Sequence, residues 1–169
     1  MVAEVDPYPY ADPNALLRQE GALLVALDQV QDPRNLGAVA RSAEFAGATG
    51  LVIPERRSAE VTAVTCKASA GAVEHLDVAR VRNLADWLIE AKAAEFWIWG
   101  ADAEAEKAPW DIQLVGPTVL VLGGEGKGIR PRVGSACDGF MALPRAGRVE
   151  SLNVSAAAAA LLFEAARQR

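Results

Sequence analysis

Val119-Leu120-Val121-Leu122-Gly123-Gly124-Glu125-Gly126-Lys127-Gly128-Ile129 is an uninterrupted apolar run that gives way to four glycines within six residues. A run of that kind, bounded by glycine, predicts a strand buried on both faces, and the helix-period segment Arg130–Ala136 follows it directly. Strand, glycine loop and helix make one unit of an α/β domain. Working outward, the same alternation recurs. Strands are predicted at Leu23–Leu27, Leu51–Ile53, Val78–Val81, Phe96–Trp99, Val119–Leu122 and Phe140–Leu143. Helices are predicted near Leu36–Ala46, Ala59–Ala68, Leu84–Ala93, Arg130–Ala136 and Val154–Arg167. Continuous apolar strands alternating with helices imply an α/β fold with a mostly parallel sheet and helices on both faces. Ligands of such sheets bind beyond the carboxyl ends of the strands. That directs attention to Asp28–Gly37, Pro54–Ser58, Gly100–Ala103, Gly123–Gly128 and Pro144–Asn153.

With 169 residues, the chain is read as one compact unit rather than a dinucleotide domain plus a second domain. Residues 1–20 form a leader punctuated by Pro7, Pro9 and Pro13, with a short helix over Asn14–Gln19 capped by Asn14; residues 21–169 form the one α/β domain. The composition, 51% hydrophobic and 23% charged, is that of a globular domain. No stretch has the length of a membrane span, and Met1–Asp6 lacks the basic start and apolar core of a signal peptide, so a cytoplasmic location is expected. Cys66 and Cys137 are expected to be reduced and to pack as small core residues, in keeping with a reducing compartment. The net charge of −5 argues against broad adhesion to nucleic acid. It is unevenly spread: residues 123–148 hold five basic against two acidic residues, whereas residues 74–111 hold four against nine. A local basic rim is therefore compatible with an acidic chain.

The glycine loop departs from both familiar phosphate-binding patterns. Gly128, not Ser or Thr, follows Lys127, and Val121 stands where a P-loop has its first glycine. A Rossmann fingerprint opens the first strand–helix unit, whereas this loop comes near the end. Glu125 within it repels phosphate but accepts hydrogen bonds from a hydroxyl, an amine or an arginine. In the first loop Asn35 is expected to cap the following helix. Arg41 lies in a helix otherwise rich in alanine and aliphatic residues, and either snorkels or is aimed at a carboxylate or phosphate. Ser151, Asn153 and Ser155 crowd the start of the last helix with more hydrogen-bonding groups than one cap needs. His75 is the only histidine and lies away from every strand-end loop. This disfavours a Ser-His-acid triad, and no zinc-like spacing joins it to the cysteines. No metal site is expected. The four tryptophans are read as packing residues, with base stacking an alternative for Trp110.

Together these segments resemble the motifs of the SpoU, or TrmH-like, branch of the SPOUT RNA methyltransferases. The first motif corresponds to Asn35–Arg41, the second to Val121–Gly128, and the third to Leu143-Pro144 with Ser151-Leu152-Asn153-Val154-Ser155. The closing Leu162–Gln168 resembles RlmB-like ribosomal RNA 2′-O-ribose methyltransferases. The resemblance implies a C-terminal trefoil knot, a homodimer, S-adenosylmethionine as methyl donor and a ribose 2′-hydroxyl of structured RNA as acceptor. Ribosomal RNA, at guanosine, stands ahead of transfer RNA. It implies catalytic roles for Arg41, Asn35, Glu125, Ser151 and Asn153. The cofactor is expected at Gly100, Leu122, Gly123, Gly124, Gly126, Leu143, Leu152 and Asn153, and the RNA at Arg34, Arg145 and Arg148. A guanidinium is a costly base, so Arg41 is read as gripping phosphate and stabilising charge on the 2′-oxygen, with direct proton abstraction the alternative. Longer relatives carry an N-terminal RNA-binding domain that this sequence lacks; the Pro-rich leader suggests an excised boundary, a compact enzyme being the other reading. Two further readings stand beside this one: a nucleotide-binding or oxidoreductase module, and a catalytically silent RNA-binding or dimerisation domain.

Overall fold

The computed structural model describes residues 6–169; residues 1–5, which carry most of the segment read for a signal peptide, lie outside the described residues. Six strands form one sheet in the order β3-β2-β1-β5-β4-β6. They are β1 (Leu23–Asp28), β2 (Gly50–Pro54), β3 (Asp77–Val81), β4 (Trp97–Ala101), β5 (Thr118–Gly123) and β6 (Gly139–Met141). Every pairing is parallel, so the sheet is wholly rather than mostly parallel. The helices are α1 (Pro13–Leu16), α2 (Pro33–Phe45), α3 (Ala63–Ala68), α4 (Leu84–Ala93), α5 (Pro131–Ala136) and α6 (Val154–Gln168).

Alternation along β1 explains the layering. Leu23, Val25 and Leu27 face one core with α2 and α6, while Leu24 and Ala26 face the other with α4 and α5. Because successive strand residues point to opposite faces, a strand covered on both sides must be apolar throughout. All six residues of β1 are buried, including the carboxylate of Asp28 at its end.

Several element ends differ from the sequence reading. Helix α2 begins at Pro33 and is capped by Asp32, whose Oδ1 accepts from the Arg34 amide at 2.8 Å. Proline at the first helical position hands the cap to the residue before it, so Asn35 is not the cap and its amide is left for other partners. Likewise Asp12, not Asn14, caps α1. Helix α3 starts at Ala63 rather than Ala59, because Ala59 is tied to Val30 by a backbone hydrogen bond of 2.8 Å. Strand β6 stops at Met141, and Leu143 belongs to the loop beyond it.

The described part of the leader packs onto the domain. Leu16 is fully buried, the Trp87 indole donates to the Pro13 carbonyl at 3.2 Å, and Ala11 bridges to Ala79 on the β3 edge. Among the described residues no helix is long and apolar enough to cross a membrane.

Candidate functional site

A cleft of about 840 Å³ opens at the carboxyl ends of β4, β5 and β6. Its walls are the glycine loop, the residues after β4, and the long loop from Leu143 to Asn153 that leads into α6. The apolar lining includes Leu122, Met141, Leu143, Leu152 and Leu161.

The glycine loop is held at both ends by Asp28. The Asp28 carbonyl accepts from the Gly124 amide at 2.9 Å, and its buried carboxylate accepts from the Arg130 backbone amide and from Nε of the same arginine, each at 2.8 Å. A second guanidinium nitrogen of Arg130 lies 2.7 Å from Oδ1. Desolvating a carboxylate is tolerated when charged donors surround it in this way. The glycines answer to the loop itself. A side chain on Gly123 would collide with the backbone of Gly128, and one on Gly124 would stand 2.5 Å from the Gln29 carbonyl. The resemblance implies cofactor at Gly123 and Gly124; close approach of the backbone to itself already requires glycine at both. Neither Asp28 nor Arg130 is among the residues that the motifs mark, yet an acidic residue closing a wholly apolar strand signals a buried partner.

The three segments singled out in the sequence meet at one point. Asn35 Nδ2 donates to Glu125 Oε1 at 2.8 Å, Asn153 Nδ2 donates to the same oxygen at 2.9 Å, and Asn153 Nδ2 also lies 3.2 Å from Asn35 Oδ1. Asn153 is itself fixed as the cap of α6, its Oδ1 accepting from the Ser155 amide at 2.9 Å and the Ser155 hydroxyl at 2.6 Å. One oxygen of Glu125 is thus occupied, and the other has no hydrogen-bond partner among the described residues.

The remaining site candidates are distributed differently. Ser151, Arg145 and Arg148 line the cleft and are exposed. Arg145 reaches the Glu150 carbonyl at 3.4 Å. Gly124, Gly126 and Leu152 also line it, whereas Gly100 does not: its absent side chain makes room for the Phe140 ring. Arg34 is paired with Asp32 at 3.0 Å, and the hydrogen bond from Arg34 holds the Asp32 carboxyl below its ordinary range. Arg41 stands outside the cleft lining, exposed on α2, with no ion pair or hydrogen bond among the described residues. Six residues of helix turn it away from Asn35 and place it on the stripe of Arg34 and Phe45. Burial pushes the Cys137 thiol up to about 12, so it is an unreactive core group. Among the described residues no three His, Cys, Asp or Glu side chains are grouped to hold a metal ion.

Among the described residues the loop from Leu143 to Leu152 makes no backbone–backbone hydrogen bond, so its peptide groups at the cleft, the Glu150 carbonyl apart, are free for a ligand. Free peptide groups beside aliphatic side chains suit an adenine ring, which has a flat apolar face and a hydrogen-bonding edge.

The model of the SpoU rRNA Methylase family matches residues 22–163. A tRNA/rRNA methyltransferase of Mycolicibacterium smegmatis is 49% identical over 172 residues, covering 98% of this chain and 54% of that protein. The 23S rRNA (guanosine-2′-O-)-methyltransferase RlmB of Xanthomonas campestris is 48% identical over 151 residues, covering 89% of this chain and 61% of the relative. The chain therefore spans little more than half the length of these relatives. The crystal structure of the SpoU methyltransferase AviRb from Streptomyces viridochromogenes in complex with AdoMet superposes with a TM-score of 0.86 at 31% identity, covering 95% of this chain and 65% of that one.

Proposed function

The chain belongs to the SpoU rRNA methylase family, and from that membership we propose that it transfers the methyl group of S-adenosylmethionine to a ribose 2′-hydroxyl of RNA. The observation that carries the proposal is the meeting of Asn35, Glu125 and Asn153 beside a cleft with free peptide groups. Ribosomal RNA, at guanosine, is the favoured substrate because the Xanthomonas relative is named for that reaction; transfer RNA is the second candidate. The return of the chain from β6, at the sheet edge, to α6 beside α2 and β5 supports the trefoil knot that the resemblance implies.

The cofactor fits the residues present. Leu122, Leu143 and Leu152 with the free peptide groups of the 143–152 loop would hold its adenine. When bound it supplies an electrophilic methyl carbon. The chain's own residues then have two tasks, alignment of the acceptor oxygen and management of its proton. Glu125, fixed by two amide donors, presents its free oxygen to a ribose hydroxyl, and Ser151 adds a hydroxyl within the same cleft. Arg145 and Arg148 offer charge to the flanking phosphates. Arg41 grips phosphate and stabilises negative charge on the 2′-oxygen.

Because Arg41 points away from its own cleft, its action is coupled to assembly. Phe45 and Phe163, both exposed, pack in a tilted arrangement with ring centroids 6.0 Å apart on α2 and α6 and mark an apolar face suited to a homodimer. Arg41 shares that face, so dimer formation and catalysis use one surface. A cytoplasmic location follows from an RNA substrate of this kind.

Thermal unfolding with S-adenosylmethionine, S-adenosylhomocysteine, NAD and GTP tests the first step, since a ligand of the native state raises the midpoint by mass action. The two methionine-derived ligands are expected to stabilise; stabilisation by NAD or GTP alone sinks the proposal. Methyl incorporation into ribosomal against transfer RNA names the substrate. Arg41→Ala is expected to abolish incorporation while preserving cofactor affinity.

A further inference from the structure

The loop after β2 lines no part of the cleft, yet it is as firmly held as the glycine loop. Arg57 has a left-handed backbone, φ 55°, a conformation that persists in a long-chain residue only where the surroundings impose it. Those surroundings are specific. The Ala59 amide donates to the Val30 carbonyl at 2.8 Å, the Ser58 hydroxyl donates to the same carbonyl at 3.4 Å, and the Glu55 amide donates to the Val81 carbonyl at 2.9 Å. Val30 follows Gln29, whose carbonyl abuts Gly124. Hydrogen bonds and close packing therefore run without a break from the β2 loop to the glycine loop of the cleft.

What the β2 loop displays is charge. Arg56 and Arg57 are exposed, as is Arg82 at the end of β3 beside Glu55. None of the three forms an ion pair or a side-chain hydrogen bond among the described residues. Arg80 is different: it is taken up by Glu60 at 3.1 Å, the Glu55 carbonyl at 3.2 Å and the ring of Tyr10. Of the nearby acids, Glu74 and Asp77 stand at the opposite, amino end of β3 and Glu60 is taken up by Arg80, which leaves Glu55 as the one carboxylate within the loop among the described residues. Three free guanidinium groups thus occupy the carboxyl ends of β2 and β3, along the same carboxyl-end edge of the strands as Lys127 and Arg148 at the cleft but on the far side of β1.

We propose that Arg56, Arg57 and Arg82 form a second, phosphate-holding rim that grips the RNA strand flanking the nucleotide in the cleft. The inference rests on the RNA substrate proposed above and adds a subsite to it. A guanidinium presents a fork of donors matched to phosphate oxygens. From β5 through β1 and β2 to β3 is three strand spacings, about 14 Å, a span that a few nucleotides cover. Contacts of this kind position the strand and supply affinity without reading its sequence. A loop already fixed by Val30 loses little freedom on binding. The rim also explains how a chain of net charge −5 engages a polyanion: Arg56, Arg57 and Arg82 add unpaired cations to the carboxyl-end edge that carries the cleft.

The test compares Arg56→Ala/Arg57→Ala/Arg82→Ala with Arg18→Ala/Lys67→Ala/Arg167→Ala, which removes equal charge from positions off that edge. The readouts are the salt dependence of binding to a fluorescein-labelled oligouridylate and methyl transfer into deproteinised ribosomal RNA. The rim variant is expected to flatten the slope of log affinity against log salt by about 2, at ~0.7 per phosphate contact with single strands. Its KM for RNA should rise about tenfold with kcat and cofactor affinity retained, and the control variant should keep the parent values. Equal losses in both variants reduce the effect to net charge and overturn the rim. Unchanged oligouridylate binding in the rim variant also overturns it, and points to an acidic protein partner instead. A parent protein that methylates no RNA, but loses oligouridylate in the rim variant alone, refutes the methyl-transfer proposal and leaves the rim standing.

Discussion

The loop Gly123–Ile129 and the loop Leu143–Asn153 line one cleft, but only the first is braced by backbone hydrogen bonds and a buried ion pair; the second is held at its Asn153 end and by one contact from Arg145. In the glycine loop, Gly124 bridges to Gly128, Asp28 ties down both ends, and Glu125 is fixed by two amides. The other makes no backbone–backbone hydrogen bond from Leu143 to Leu152 among the described residues, and residues 144–153 are all exposed. One wall is set in advance and the other is completed by what binds. Pre-organisation is worth most where geometry must be exact, at the reacting groups. Adaptable peptide groups suffice to enclose a cofactor, whose binding contributes the energy of ordering them.

The contrast breaks first at Arg130. Removing its side chain leaves the Asp28 carboxylate buried and deprived of its guanidinium, which costs about 3–5 kcal/mol of stability by the usual behaviour of buried pairs. Asp28→Asn should cost less, because Arg130 is partly exposed and regains water. Urea unfolding of the two variants measures the difference; equal losses refute the idea that Asp28 is the expensive member.

Glycine substitutions give a smaller and sharper comparison. Gly124→Ala forces a methyl group against the Gln29 carbonyl and should destabilise by roughly 1–3 kcal/mol, as overpacking does, with weaker cofactor binding. Gly147→Ala meets nothing within 4 Å and should change stability by no more than about 0.5 kcal/mol. Similar losses at both positions, read by thermal unfolding, show that the two walls do not differ as described.

The smallest perturbation requires no substitution. Amide hydrogens of residues 145–152 should exchange rapidly in the free protein and slow on addition of S-adenosylmethionine, while the bridged Gly128 amide is protected in both states. Protection of the 145–152 loop without ligand contradicts an adaptable wall.

Much of this was legible in the chain. Leu23–Leu27, Leu51–Ile53, Val78–Val81 and Val119–Leu122 all lie within observed strands, because a strand buried on both faces has no choice but to be apolar. Asn35, Glu125 and Asn153 were each marked by residue type and by position after a strand. Their meeting was not legible, since it joins residues up to 118 positions apart. The caps misled for a local reason: Pro33 makes Asp32 the cap of α2, which releases Asn35. Asp28 was passed over because a single acid at a strand end looks like the start of a polar loop.

Residue order alone determined the periodicity, the parallel class and the identity of the polar groups, because these depend on burial and spacing along one segment. Folding decided which groups share an oxygen, which charges are spent on internal pairs and which remain free. Arg34, Arg80 and Arg130 are engaged by the protein, whereas Arg56, Arg57 and Arg82 are not. Nothing in the charge of an arginine distinguishes the two sets; only the neighbours that the sheet brings beside it do.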